Sequence, residues 1–229
     1  MLQEEAEFAG PIKGALLDHY LLYGWYRMGF LVFTTHYINV TDDGKSHRVY
    51  WLRYKVQDVH RSKTIANLET INKHLSVTCQ PFRLTDEIDA LHKKYAANLK
   101  FSAAGDLQQV LQDMNNDIYD SHIIEIRDNG KLIAGGIFDK GKDSIAGIIN
   151  FYDPEYKKQS LGKFVILQKY KYCVDNAIAY YYPGYYMPDH PLFDYKLFLD
   201  KSATEVYIPE TNQWLPYNEV GNSIKNNQQ

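Results

Sequence analysis

The chain has 229 residues, 45% of them hydrophobic and 23% charged, with a formal net charge of −3. That is enough for a sizeable core in one large or two small domains, without the overall basic character of a dedicated nucleic-acid binder. Two cysteines with no CxxC spacing, an acidic start (MLQEEAEF) and no apolar run of membrane-spanning length exclude a zinc-ribbon type site, a secretory signal and a transmembrane helix; they predict a soluble cytoplasmic protein that holds no metal.

Residues 1–15 read as a loose lead-in, Ala15 to Tyr23 as a short helix, and Gly24 to Gly29 as a turn bracketed by glycines. Phe30 to Tyr37 and Val49 to Val56, rich in aromatic and β-branched residues, read as strands joined by a turn at Asp42-Asp43-Gly44. His60 to Leu75 carries Ile65, Leu68 and Ile71 at helical spacing. Val77 to Phe82 reads as a strand, and Thr85 caps a helix whose apolar positions are Ile88, Leu91, Tyr95 and Leu99. A short helix over Asp106 to Met114 precedes strands at Ser121–Arg127 and Lys131–Phe138, joined by the hairpin signal Asp128-Asn129-Gly130. The apolar run Ser144 to Phe151 is a buried strand, broken by Asp153-Pro154. Ser160 is placed to cap a helix running to about Asn176, with Leu161, Phe164, Val165, Gln168, Tyr172 and Cys173 near one face. Ile178 to Tyr182 is a strand ended by Pro183-Gly184, Pro188 to Leu199 holds a short helix, and Glu205–Ile208 and Trp214–Tyr217 are closing strands. The last nine residues, GNSIKNNQQ, read as a disordered tail.

Charge and tyrosine are unevenly spread. Between Lys45 and Leu75 seven basic residues (Lys45, Arg48, Arg53, Lys55, Arg61, Lys63, Lys73) face only Asp58 and Glu69. Lys157, Lys158, Lys163, Lys169 and Lys171 form a second basic group; each suits a phosphate backbone or is simply a solvated face. The 20 tyrosines concentrate near Tyr20–Tyr54 and at Tyr180–Tyr186. A strand feeding the helix at Ser160 through a loop places free backbone N–H groups beside a cleft, where an anion or a carbonyl binds readily.

The order β-α-α-β-β-β-α-β-α-β-β from Ser76 onward resembles the GNAT acyltransferase fold, an α/β (α+β) architecture with a mixed sheet and helices on both faces. This implies a smaller N-terminal lobe over 1–75, a GNAT-like domain over 76–220 and a disordered tail over 221–229. The acyl-CoA members carry Q/R-x-x-G-x-G/A at the start of the central helix; here Gln159-Ser160-Leu161-Gly162-Lys163-Phe164 ends in a bulky residue that would obstruct a pyrophosphate if it faced the loop. GWYRMG (Gly24–Gly29), HRSKTIANLETINKHL (His60–Leu75), FYDPEYKKQSLGKF (Phe151–Phe164) and YYYPGYYMPDHPLFDYK (Tyr180–Lys196) together resemble the arginyl/leucyl-tRNA–protein transferases over about residues 18–196.

The resemblance implies transfer of arginine or leucine from aminoacyl-tRNA to the α-amino group of a protein with an acidic N-terminal residue, as in N-degron formation, with no cofactor. It implies that Leu161, Gly162 and Ser160 face the ester or the terminal adenosine. Asp153 would take a proton or bind the donor's amino group, although Asp-Pro is also common turn punctuation. Trp25, Tyr152, Tyr181 and Tyr185 would line the site; Arg27, Arg61 and Lys63 would bind tRNA phosphates or the acceptor's acid, with Lys196 at the end of the last motif. Residues 1–78 lack the cysteine cluster common in this family, Tyr26 stands where an arginine is usual, and Leu192-Phe193 replace Lys-Met. A GNAT acyl-CoA N-acyltransferase and a non-catalytic relative that binds tRNA or protein N-termini are the alternatives.

Overall fold

The computed structural model describes residues 3–6, 10–39, 46–99, 106–188 and 191–226. The predicted turn at Asp42-Asp43-Gly44 lies outside these residues. The N-terminal part holds β1 (Gln3–Ala6), α1 (Ala15–Leu22), β2 (Tyr26–Met28), β3 (Leu31–Thr35), β4 (Tyr37–Ile38), β5 (His47–Arg48), β6 (Tyr50–Lys55) and α2 (Lys63–Asn72). Then follow β7 (Ser76–Pro81), α3 (Asp86–Ala96), α4 (Leu107–Leu111), β8 (Ser121–Asp128), β9 (Lys131–Lys140), β10 (Ser144–Tyr152) and α5 (Leu161–Asp175). β11 (Tyr180–Tyr186), a 3-10 segment at Pro191–Leu197, β12 (Thr204–Ile208), β13 (Gln213–Pro216) and α6 (Tyr217–Asn226) close the chain.

The main sheet has eight strands in the order β13-β12-β6-β11-β10-β9-β8-β7, and a three-stranded sheet, β1-β3-β2, stands beside it. Among the described strands of this sheet only β10 and β11 are parallel, joined by α5 as a crossover; the other neighbours run antiparallel. Alternation along β8 and β9 supplies two cores. Ile124 and Phe138 pack with Phe164, Val165 and Ile65 under α5 and α2, while their neighbours Ile123 and Ile137 pack with Ile88, Leu91 and Leu107 under α3 and α4. Helices on both faces explain why the central strands read as unbroken apolar runs. The Asn129-Gly130 turn has positive φ at both residues (47° and 87°), the two-residue geometry whose twist suits a hairpin.

The architecture is therefore the expected mixed α/β sheet, with four corrections. β6 lies inside the main sheet, between β12 and β11, so the sheet crosses the boundary expected at residue 75. The lead-in is not loose throughout, because Gln3–Ala6 pairs with β3. The tail expected over 221–229 is helical as far as Asn226, and Ile224 is buried against the β6–β12 side. In addition, β11 runs on through Pro183-Gly184 instead of ending there. No helix among the described residues is long and apolar enough to cross a membrane.

Candidate active-site cleft

β10 and β11 pair only from Ser144/Tyr180 to Ala146/Tyr182 and then part, with an irregularity in β10 between Gly147 and Ile149. Beyond the parting, the end of β10 and the start of α5 frame a cleft of about 660 Å³, within the range of small-molecule sites. Asn150 and Tyr152, two apart and so on one face of β10, form its floor; Tyr156, Lys157 and Ser160 to Lys163 form one wall. Tyr95 and Leu99 from the end of α3, with Phe193 and Tyr195 from the 3-10 segment, form the other. The Tyr95 and Tyr152 rings lie 4.9 Å apart.

The first helical bond at this end of α5 runs from Phe164 N–H to Ser160 C=O, and no side chain caps the turn. The N–H groups of Leu161, Gly162 and Lys163 thus lie ahead of the helix ladder, at the positive end of its dipole. Gly162 lets the Tyr152 ring approach: a Cβ there would sit 3.2 Å from that ring. Burial, reinforced by Tyr152, pushes the Tyr95 phenol up to about 12, and burial raises Tyr195 as well. Both stay protonated near neutrality. No carboxylate or imidazole is among the described lining residues, and the cations Lys157 and Lys163 are.

The expected site residues divide. Tyr152, Ser160, Leu161 and Gly162 do meet in this cleft. Ser160 does so in a different role from the one expected: it sits in the left-handed region (φ 48°, ψ 47°), its hydroxyl caps nothing, and it opens the helix without closing its end. That conformation costs a non-glycine residue about 1–2 kcal/mol. Asp153 is tied into the fold. Its side chain is 1% exposed and is clamped by Lys94 (2.8 Å) and Lys131 (3.1 Å). It also accepts from Glu155 N–H. Burial works to raise its pKa, but these bonds prevail and leave it below the usual carboxylate value, the wrong direction for a base.

Arg27 is sealed inside the protein. Its guanidinium reaches Asp139 (3.0 Å), Ser121 (2.9 Å) and the carbonyls of Gly29 and Leu111, tying the β2–β3 hairpin to β8 and β9, so it cannot meet a substrate. Trp25 packs in the cluster around Tyr26, Trp51 and Tyr207, away from the cleft lining. Tyr181 is 1% exposed, beside Tyr54 in the main core. Tyr185 sits behind the cleft wall against Phe193. Lys196 donates to the Tyr185 carbonyl (2.7 Å), and burial pulls its pKa down to about 7; it pins the 3-10 segment to β11. Arg61 and Lys63 are exposed on and just before α2, with Arg61 paired to Glu69 (2.7 Å). Phe164 is 4% exposed and faces the core, so it does not obstruct the loop.

Sequence reasoning missed Tyr95, Asn150, Phe193 and Tyr195 as cleft residues. Asn150 alone carried a signal, a polar side chain inside the apolar run of β10. Among the described residues no group of Asp, Glu, His or Cys gathers to hold a metal ion, and Cys79 and Cys173 are free thiols.

Residues 87–204 match the family model described as "Arginine-tRNA-protein transferase, C terminus". An aspartate/glutamate leucyltransferase from Leptospira interrogans is 27% identical over 150 residues, covering 63% of this chain and 58% of that protein. An arginyl-tRNA–protein transferase 1 from Arabidopsis thaliana is 24% identical over 186 residues, covering 70% of this chain and 29% of that protein. The chain thus spans under three fifths of the length of these two relatives. Among solved structures, the C-terminal domain of a putative lysylphosphatidylglycerol synthetase from Agrobacterium fabrum superposes with a TM-score of 0.46 at 11% identity, over 60% of this chain and 47% of that one.

Proposed function

Because the chain belongs to the arginine-tRNA–protein transferase family, we propose that it transfers an amino acid from aminoacyl-tRNA to the α-amino group of a protein beginning with Asp or Glu, marking it as an N-degron. The observation that carries this reading is the uncapped first turn of α5 opening into an aromatic cleft. The ester carbonyl of the charged tRNA end lies against the N–H groups of Leu161, Gly162 and Lys163. The uncharged acceptor amine attacks it, a C–N bond forms, the C–O bond to the ribose breaks, and the amine's proton leaves with the ribose hydroxyl. The N–H groups and helix dipole stabilise the negative charge that develops on the carbonyl oxygen. Holding amine and ester together supplies much of the acceleration, since the ester is already activated. The reaction as written draws on no cofactor and no protein base.

Tyr95, Tyr152 and Tyr156 are suited to stack on the terminal adenine, and Lys157 and Lys163 to pair with its phosphate or with the acceptor's acidic side chain. Leucine is favoured over arginine as the donor. A guanidinium would meet lysines at this cleft and, among its described lining residues, no carboxylate. The leucyltransferase relative points the same way.

The test offers separately charged Leu-tRNA and Arg-tRNA with peptides beginning Asp, Glu, Arg or Lys. Leucyl transfer to the Asp and Glu peptides is expected. No transfer in any combination, from folded protein, would overturn the reading in favour of a binding module. The start of α5 also suits a pyrophosphate, so micromolar binding of acetyl-CoA in a calorimetric titration would overturn it in favour of a CoA-dependent acyltransferase.

A further inference from the structure

Lys169, in the middle of α5, points into the core and is 0% exposed. Gly136 makes the space, since a Cβ on that residue would lie 3.0 Å from Lys169 Cε and 2.2 Å from Val165 Cγ1. Burying an ammonium is costly unless its hydrogens are satisfied, and a leucine or methionine would fill the volume without that cost. Nζ donates to the Ile137 carbonyl (2.8 Å) and to Asn150 Oδ1 (2.7 Å). Burial lowers the Lys169 pKa to about 7, with Asp139, Cys79 and Cys173 as its titratable neighbours.

An ammonium has hydrogens to give and no lone pair to accept, so it fixes which end of the Asn150 amide faces inward. The oxygen turns to Lys169, and the planar NH2 group must point elsewhere. Asn150 is part of the cleft floor, and among the described residues no group accepts from its Nδ2. A donor is thereby aimed from β10 into the space that the first turn of α5 bounds from the side.

The geometry points to Asn150 as a second donor to the carbonyl oxygen of the bound ester, with Lys169 as the positioning residue that turns its amide toward the cleft. The assignment rests on the transferase reading above. It explains why a lysine stands where packing alone calls for an apolar side chain, and why the floor of β10 carries a single amide.

The test uses the full chain with Asn150→Asp, Lys169→Met and the double variant. Asn150→Asp keeps the shape and the oxygen facing Lys169 but replaces the outward donor by an acceptor, so it should fold normally. It is expected to lower kcat about 100-fold, with KM for the charged tRNA within about 2-fold, as for loss of one oxyanion donor. Lys169→Met should lower kcat about 10-fold alone and less than about 2-fold in the Asn150→Asp background, because the two act as one unit. Wild-type kcat in Asn150→Asp, or additive losses in the double variant, would overturn the assignment.

The side-chain amide NMR signal that Asn150→Asp lacks belongs to Asn150, and it reads the positioning step without substrate. It should move when Lys169 is replaced by Met. If that variant does not fold, the wild-type signal should move as Lys169 loses its proton near pH 7; Cys79, pushed up to about 11, titrates far above that. A signal that stays still in every case would overturn the positioning step. If wild-type protein transfers nothing, the proposed function has failed, and this signal still decides what Lys169 does to Asn150.

Discussion

Asp153 shows why a carboxylate at the end of a strand beside a cleft need not be a base. Its lysine partners sit on α3 and β9, so it joins three elements at the mouth of the 153–160 loop. Lys94 and Lys131 are partly exposed, which keeps the worth of each pair modest, while the carboxylate itself is sealed. Asp153→Asn should therefore cost about 1–3 kcal/mol of stability, the scale of hydrogen bonds to a charged group. Below the new melting temperature it should leave kcat within about 10-fold, where loss of a general base costs about 100-fold or more. Because the folded pKa is lowered, this stabilisation is complete above the unfolded carboxylate value of about 3.9 and disappears as pH falls through the folded value. Acid unfolding monitored by circular dichroism should accordingly be shallower in the variant than in the wild type below about pH 4. A catalytic collapse without loss of stability would return Asp153 to the reaction.

At the scale of elements, α2 braces the loop that leads into α5 without itself lining the cleft. Asn72 on α2 donates to the Gln159 carbonyl (2.9 Å), joining α2 to the loop that precedes α5. Within the basic groups, Arg61 and Lys171 are both held by Glu69, whose pKa they lower, and Lys169 is inside the core. Lys157 and Lys163 are the cations that reach the cleft. Lys157→Glu and Lys163→Glu should each weaken tRNA binding and flatten the log–log salt dependence by about one unit for every phosphate left unneutralised, whereas Arg61→Glu should change it less. Equal effects at all three positions, in filter binding across a salt series, would mean the backbone is met by diffuse charge.

β10 and α5 were legible in the sequence because a short apolar run cut off by Asp153-Pro154 marks a buried strand, and Leu161, Phe164, Val165 and Cys173 recur at helical spacing after it. β11 was less so, since Pro183 looks like a stop. It sits where the ladder to β10 has just ended and where the register with β6 shifts between Tyr181 and Gly184, so its missing N–H leaves no ladder bond unmade. Tyr95 and Phe193 reach the cleft from segments far from Tyr152 along the chain, and no local pattern encodes such a meeting.

At the scale of the molecule, the position of β6 decides what can fold alone. β6 pairs with β11 on one side, from Tyr180/Lys55 to Tyr186/Tyr50, and with β12 on the other, from Thr204/Tyr54 to Val206/Leu52. Leu52 and Tyr54 are 0% exposed, and Tyr54 also donates through its hydroxyl to the Lys196 carbonyl. A fragment beginning at residue 76 would keep seven of the eight strands but lose the one that joins β11 to β12, exposing two ladders of backbone groups and both apolar faces. Lateral closure by direct β11–β12 pairing would require a sheet-wide shift of about 4.8 Å, which helices packed on both faces resist. The 76–229 fragment should therefore show no cooperative melting transition and poor dispersion of its amide NMR signals, while the full chain melts cooperatively with well-dispersed signals. Addition of a 1–75 fragment should restore a transition if the two halves reassemble. Cooperative melting of 76–229 alone, near the temperature of the full chain, would mean that β6 is an addition to a sheet already complete.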